Sequence, residues 1–158
     1  MARSHAAGSF RFNLVALGAA LCAASAFAQT EGGLYIAGSG FTFQQAAERA
    51  MAQNPGGQRF FLLSIPPETT ALTTNAAGAA LRDRVVAANG VLLVCQRDLD
   101  SGKIAAGTLA PGVVAVRGFP PAGSTALPPG ERYFKDENPA NLPESNEALR
   151  RLRSTCSK

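Results

Sequence analysis

Four short apolar runs, separated by polar, glycine-rich or proline-containing stretches, dominate the hydrophobic pattern of the chain. They cover residues 34–37, 60–65, 91–95 and 113–116. Nearly every position within a run is apolar, rather than every second position, which is typical of strands buried on both faces of a sheet. We expect these runs to form the strands of a mostly parallel sheet.

A helical period fills the interval after the first run. Thr42 followed by Gln45 forms a capping-box pattern, in which each side chain satisfies a free backbone amide at the start of a helix. The apolar positions that follow repeat at helical spacing and predict one inward stripe: Phe43, Ala46, Ala47 and Ala50. The sequence Asn-Pro-Gly-Gly at 54–57 ends this helix.

A second helix is expected from Asn75, after a Pro- and Thr-rich loop at 66–74. Its inward side would carry Ala77, Ala80, Leu81, Val85 and Ala88, and its outward side Arg82 and Asp83. Gly90 suits a left-handed turn at its end. We expect a further short helix within 101–109.

Helices alternating with apolar strands predict a small three-layer α/β sandwich with a mostly parallel sheet of four to five strands. Residues 117–142 are rich in proline and predict a functional flap or a packed irregular loop. Arg132, Tyr133 and Phe134 within it form a candidate edge strand or partner contact. A C-terminal helix at 143–156 would turn Leu149, Leu152 and Cys156 inward and place Arg150, Arg151 and Arg153 at a solvated end.

The first 28 residues have the pattern of a secretory signal peptide. Arg3 and Arg11 precede a short apolar core, and Ala26-Phe27-Ala28 provides a small-x-small cleavage site. The core is shorter than the roughly 20 residues of a membrane span. The sequence therefore predicts cleavage after Ala28, a periplasmic or secreted location, and a single domain at 29–158 without a membrane span.

Removal of this leader changes what the composition implies. The formal net charge of +4 falls to +2 when Arg3 and Arg11 are lost, so the basic balance does not indicate a nucleic-acid partner. His5, the single histidine, is lost as well. Without a histidine, the mature chain cannot form a histidine-dependent catalytic triad or a histidine-bearing zinc site. We expect neither a metal nor a cofactor.

The remaining cysteines are Cys95, at the end of the third apolar run, and Cys156. Ligands of parallel α/β sheets bind beyond the carboxyl ends of the strands, at a reversal of strand order. As the last apolar residue of the third run, Cys95 is expected at this carboxyl edge. Arg97 and Lys103 would favour its thiolate, as would a short helix beginning at Asp98, Asp100 or Ser101, whereas the two aspartates oppose it. Three states stay open: an inert buried thiol, a disulfide with Cys156, and a reactive or persulfide thiol. The last two states merge if Cys156 resolves the reactive thiol.

A second candidate site is the Gly38-Ser39-Gly40 turn before the first helix. A helix N-terminus there offers an anion site. Phe43 stands where a dinucleotide fingerprint needs its third glycine, so a tight turn is the simpler interpretation.

The order strand, helix, strand, helix, followed by VLLVCQRDL and SGKIAAGTLAPGVVAV, resembles the DsrE/DsrF-like sulfur-relay family. Cys95, Leu99, Ile104 and Gly112-Val113 stand at the matching places, and the resemblance covers about residues 34–116. It implies that Cys95 is a persulfide carrier. The small residues frequent after the family's cysteine are replaced by Gln96-Arg97-Asp98.

Two hypotheses of function follow. In the first, an exported DsrE-like protein handles sulfur or thiols, with Cys95 as acceptor and a sulfur-donor or acceptor protein, or a small thiol, as partner. In the second, the chain is a non-enzymatic accessory or interaction module with bridged or inert cysteines, acting through residues 119–142. Assembly with further copies is left open by the sequence.

Overall fold

Four parallel strands form the centre of residues 33–121 and 132–158, the part of the chain that the computed structural model describes. They are β1 (Leu34–Ala37), β2 (Phe60–Ser64), β3 (Gly90–Cys95) and β4 (Val114–Val116). Each is within a residue of its predicted apolar run. The predicted leader, its cleavage site after Ala28 and residues 122–131 of the proline-rich segment lie outside the described residues.

The strands lie side by side in chain order, β1-β2-β3-β4. Successive crossovers run in one direction, and because such crossovers are right-handed they place their helices on one face of the sheet. That face carries α1 (Phe43–Gln53) and α2 (Ala79–Ala87), while α4 (Asn146–Ser157) packs on the other. The prediction of a small three-layer α/β fold is confirmed. The strand order does not reverse within the described sheet.

The side chains of the strands alternate between two apolar clusters. Phe60 and Leu62 of β2 belong to the cluster under α1 and α2, whereas Phe61 and Leu63 belong to the cluster under α4. All five residues of β2 are buried. This burial on both faces explains why the strand sequences are continuously apolar.

The start of α1 follows its sequence signals. The Thr42 side chain accepts a hydrogen bond from the Gln45 amide, and the Gln45 side chain accepts one from the Thr42 amide. The four predicted inward positions of α1 are all buried. The capping box and the apolar stripe are confirmed.

The second helix differs from its prediction. It begins at Ala79 after a 3-10 turn at Ala76–Gly78, and the predicted inward residues Ala77 and Ala80 are exposed. Arg82, predicted to face outward, is buried, because its guanidinium donates to the carbonyl oxygens of Ala71 at 2.7 Å and Asn75 at 3.3 Å. The left-handed residue is Asn89, with φ of 66°, and Gly90 already belongs to β3.

Several connecting segments also depart from the sequence analysis. The short helix α3 (Gln96–Asp100) begins directly after β3, and only a 3-10 turn at Ala106–Thr108 occupies the predicted 101–109 helix. The last helix begins after its cap Ser145 rather than at Pro143. Residues 132–134 do not form a strand. None of the described helices combines the length and apolar character that crossing a membrane requires.

Candidate functional site

A disulfide joins the end of β3 to α4. The sulfur atoms of Cys95 and Cys156 are 2.04 Å apart and their Cα atoms 5.2 Å apart. Cys95 is 0% exposed and Cys156 is 3% exposed, and both belong to the apolar cluster between the sheet and α4. Of the three states left open by the sequence, the structure shows the bridge, with both sulfurs sealed from solvent.

A buried carboxylate lies three residues after Cys95. The Asp98 side chain is 0% exposed, and its Oδ1 lies 3.4 Å from Arg97 Nε and 3.6 Å from Lys103 Nζ. Neither carboxylate oxygen accepts a hydrogen bond within the described residues. The two cations predicted to stabilise a Cys95 thiolate therefore have Asp98 as their ionic partner. A bridged sulfur carries no thiolate charge, so their proposed role stays a prediction.

The Gly38-Ser39-Gly40 turn is a tight connection between β1 and α1. Gly38 and Gly40 have φ angles of 95° and 84°, and the Gly38 amide donates to the Phe41 carbonyl at 2.8 Å. A Cβ at Gly38 would also collide with the Ile65 carbonyl, so this position requires glycine.

The N-terminus of α1, next to this turn, is already occupied by a carboxylate of the protein itself. The first helical amide, that of Phe43, donates to Glu68 Oε2 at 2.7 Å. Glu68 lies in a 3-10 turn at Glu68–Leu72, just after β2. An external anion at this helix end would have to displace that carboxylate. The anion site predicted for Gly38, Ser39 and Gly40 stays a prediction.

Arg153 forms the most extensive polar contact of the α4 layer. It is 1% exposed, and its guanidinium donates to both carboxylate oxygens of Glu137, at 2.9 and 2.7 Å. It also donates to the carbonyl oxygens of Arg117 and Arg132. The prediction that Arg153 belongs to a solvated helix end was wrong, whereas Arg150 and Arg151 are exposed. Its spacing of four from Leu149 and three from Cys156 was the available signal, since it places Arg153 on the inward side.

Phe134 lies within the same cluster. The guanidinium carbons of Arg117 and Arg153 lie 4.7 and 5.2 Å from the centre of its ring. The Arg117 side chain also pairs through two hydrogen bonds with Asp136. We call Arg117, Phe134, Glu137 and Arg153 the arginine clamp, because these residues fasten the chain at 132–142 to β4 and α4.

The ionic pairs shift the pKa values of the carboxyl groups. Burial raises the pKa of Glu137, but hydrogen bonds from the Arg153 guanidinium and from the Phe134 and Arg117 amides outweigh it, so its pKa lies below the ordinary 4.5. The hydrogen bond from Arg117 likewise holds the pKa of Asp136 below its usual range, and the pKa of Arg117 is raised in return. Both carboxyl groups are therefore ionised at neutral pH.

The carboxyl end of the sheet also carries a cleft of about 340 Å³ beside β4. Its walls include Gln96, Val116, Asn141 and the clamp residues Arg117 and Glu137. The charged groups in this wall already have ionic partners. Within residues 33–121 and 132–158, no three histidine, cysteine or carboxylate side chains are grouped to hold a metal ion.

Comparisons with protein-family models, with curated proteins and with solved structures found no match to this chain. Membership of the DsrE/DsrF-like family therefore stays a prediction from the sequence pattern. The function must be inferred from the residues and contacts described above.

Proposed function

We propose that the chain is a non-enzymatic accessory or protein-interaction module of an oxidising compartment, the periplasm or the exterior, and that its disulfide is structural. The observation that carries this proposal is the burial of both sulfurs in the apolar layer between the sheet and α4. A carrier of sulfur needs a thiolate that its donor can reach. Cys95 meets this need only if α4 leaves the sheet.

The stabilising effect of the bridge supports a structural role. It joins residues separated by 61 positions. In the chain-entropy model, a loop of this length loses enough freedom in the unfolded state to stabilise the fold by about 4 kcal/mol. That is a large fraction of the stability of a small domain. Disulfides persist in oxidising compartments, to which the predicted leader would direct the chain.

The competing proposal is the exported DsrE-like sulfur carrier, with Cys95 as acceptor and Cys156 as resolving thiol. Arg97 and Lys103 would then stabilise the Cys95 thiolate after the bridge is reduced. The two proposals differ in one measurable property, the accessibility of Cys95 in the folded protein.

The experiment traps the cysteines of the full chain, expressed with its own leader in an oxidising compartment and purified without reductant. We expect peptide mapping of the non-reduced protein to show a stoichiometric Cys95–Cys156 link that persists in a glutathione buffer. Iodoacetamide would label either cysteine only after denaturation and reduction.

The Cys156→Ala variant provides the matched control, since it leaves Cys95 unpaired. We expect its Cys95 to be alkylated slowly in the native protein and rapidly in urea. Rapid native alkylation below pH 8, together with a gain of one sulfur atom from a polysulfide donor, would overturn the structural role and support the sulfur carrier.

A further inference from the structure

Among the strands that the structure describes, β1 lies at one edge of the sheet and pairs only with β2. The carbonyl oxygens of Gly33 and Ala37 accept hydrogen bonds from Phe61 and Ile65 on the β2 side. Because successive residues of a parallel strand direct their main-chain groups to opposite sides, those of Leu34 and Ile36 point away from the sheet. Such a row of outward groups is a template for an added strand.

A cavity of about 300 Å³ lies along this edge. Its wall combines β1, the following turn, α1 and α4: Gly33, Leu34, Tyr35, Ile36, Ser39, Phe41, Ala46, Arg49, Gln53 and Arg151. It therefore spans both helical layers at the edge of the sheet. Phe41 is 45% exposed and supplies an apolar surface beside the strand.

Two cations of different layers flank the cavity. Arg49 belongs to α1, where its guanidinium carbon lies 5.6 Å from the centre of the Phe41 ring, and Arg151 belongs to α4. Both are exposed, and neither forms an ion pair with a carboxylate in the described part of the chain. The edge therefore combines outward main-chain groups, an exposed aromatic ring and positive charge on both sides.

We propose that β1 binds an extended, acidic peptide segment of a partner protein, which adds to the sheet as a fifth strand. Its main chain would pair with Leu34 and Ile36, and its carboxylates would contact Arg49 and Arg151. This inference deepens the proposed function and rests on it, because it names the surface and the kind of partner of the interaction module.

Charge distinguishes this occupant from the two alternatives. A second copy of the chain, paired through its own β1, would bring another Arg49 and Arg151 to an edge that already carries these two cations. The sequence preceding Gly33 contains one acidic residue, Glu31, and therefore lacks the charge that would complement two arginines. An acidic segment of a partner supplies both a main chain that pairs with β1 and negative charge that complements Arg49 and Arg151.

The disulfide contributes to this surface through α4. Arg151 lies on the helix that Cys156 bonds to β3, so the bridge fixes the position of one of the two cations. The other cation is positioned by α1, whose apolar stripe is buried. The binding edge is thus held by the same contacts that hold the fold together.

The test measures the fluorescence anisotropy of a fluorescein-labelled peptide of alternating glutamate and valine. The peptide is titrated with the oxidised protein, expressed with its own leader and purified without reductant. We expect saturable binding that is at least tenfold weaker for the corresponding lysine–valine peptide. N-methylation of every amide of the acidic peptide should abolish binding, because it removes the donors of the added strand.

Single arginine-to-glutamate variants test whether the acidic peptide binds at the β1 edge. Arg49→Glu and Arg151→Glu should each raise the Kd of the acidic peptide at least tenfold, because each places a like charge beside it. Arg150→Glu, at the exposed residue preceding Arg151, and Arg84→Glu, at an exposed position of α2, are matched controls that should change the Kd less than twofold. Circular dichroism would verify that all four variants are folded.

Equal binding of both peptides, equal effects of all four reversals, or no binding would overturn the proposal. A dimer that loses its contact on Arg49→Glu would assign the edge to a second copy of the chain and would also overturn the proposal. Cysteine trapping on the same sample separates the two proposals. A sealed bridge without peptide binding contradicts this inference alone, whereas a reactive Cys95 contradicts the structural module.

Discussion

The main chain at Gly90 passes so close to two buried side chains that no Cβ fits there. An added Cβ would lie 2.6 Å from Phe60 Cζ and 2.6 Å from Val85 Cγ1, and both side chains are 0% exposed. We expect Gly90→Ala to lower the free energy of unfolding by about 1–3 kcal/mol, because the core must shift to admit the methyl group. Urea denaturation followed by circular dichroism measures this loss.

Gly107→Ala is the matched control for this substitution. A Cβ at Gly107 has nothing within 4 Å, so this variant should be close to the wild type in stability. Equal stability of the two alanine variants would contradict the crowding at Gly90.

Single residues were predictable where their role depends on near neighbours in sequence. Thr42 and the inward positions Leu149, Leu152 and Cys156 follow from capping and helical spacing. Arg82 and Arg153 were wrongly placed because burial of an arginine depends on acceptors elsewhere in the chain. The carboxylate that binds Arg153 is 16 residues away, across a segment that has no periodic pattern.

Among the elements, the segment at 132–142 depends most on side-chain contacts, because the arginine clamp attaches it to β4 and α4. Glu137→Gln leaves the 1%-exposed Arg153 without its ionic partner. We expect a loss of about 3 kcal/mol in unfolding free energy, as for other broken buried pairs. Asp136→Asn, which breaks the neighbouring exposed pair with Arg117, is the matched control and should cost much less.

The Glu137–Arg153 pair predicts that the free energy of unfolding depends on pH. The pKa of Glu137 is lowered in the fold, so its ionised form stabilises the protein above the unfolded-state pKa, and this stabilisation is lost as the pH falls through the folded value, below 4.5. The difference in stability between the wild type and Glu137→Gln should therefore shrink between pH 6 and pH 3, as measured by urea denaturation. A difference that stays constant over this range would contradict the ionic role of Glu137.

Helices and strands, like single residues, were predictable only where the interactions that determine them lie within a few residues in sequence. The strands and α1 carry their signals within a few residues, and they were predicted within about a residue. Residues 132–134 have strand-forming side chains, yet their main-chain groups bond to Arg153 and Glu137 instead of to a neighbouring strand. Those bonds replace the expected edge strand, and periodicity within the segment cannot reveal them.

For the whole molecule, the layers were predictable and the order of the strands was not. Continuous apolar runs require cover on both faces of the sheet, which the inward stripes of α1 and α4 provide. The order depends on the direction in which each crossover travels, and no short sequence pattern specifies it. The rule that ligands bind where the strand order reverses therefore indicates no site in the described sheet.

The disulfide joins these layers at the level of the whole fold, because it is the covalent link between the central sheet and α4. Replacing both cysteines, Cys95→Ala together with Cys156→Ala, should lower the unfolding free energy by about 4 kcal/mol through the lost loop constraint. Leu149 and Leu152 stay buried against β2 and β3, so the variant should still fold.

If the bridge holds α4 against the sheet, the double variant should lose stability mainly in α4 rather than uniformly over the fold. Hydrogen exchange of the double variant should show α4 amides losing more protection than those of α1, which packs on the other face of the sheet in a cluster without a cysteine. A uniform loss across all helices would mean that the bridge acts only on the unfolded chain. Because α4 also carries Arg151, selective loosening of α4 should weaken the proposed peptide binding at the β1 edge while leaving the sheet intact. The bridge would then determine binding as well as stability.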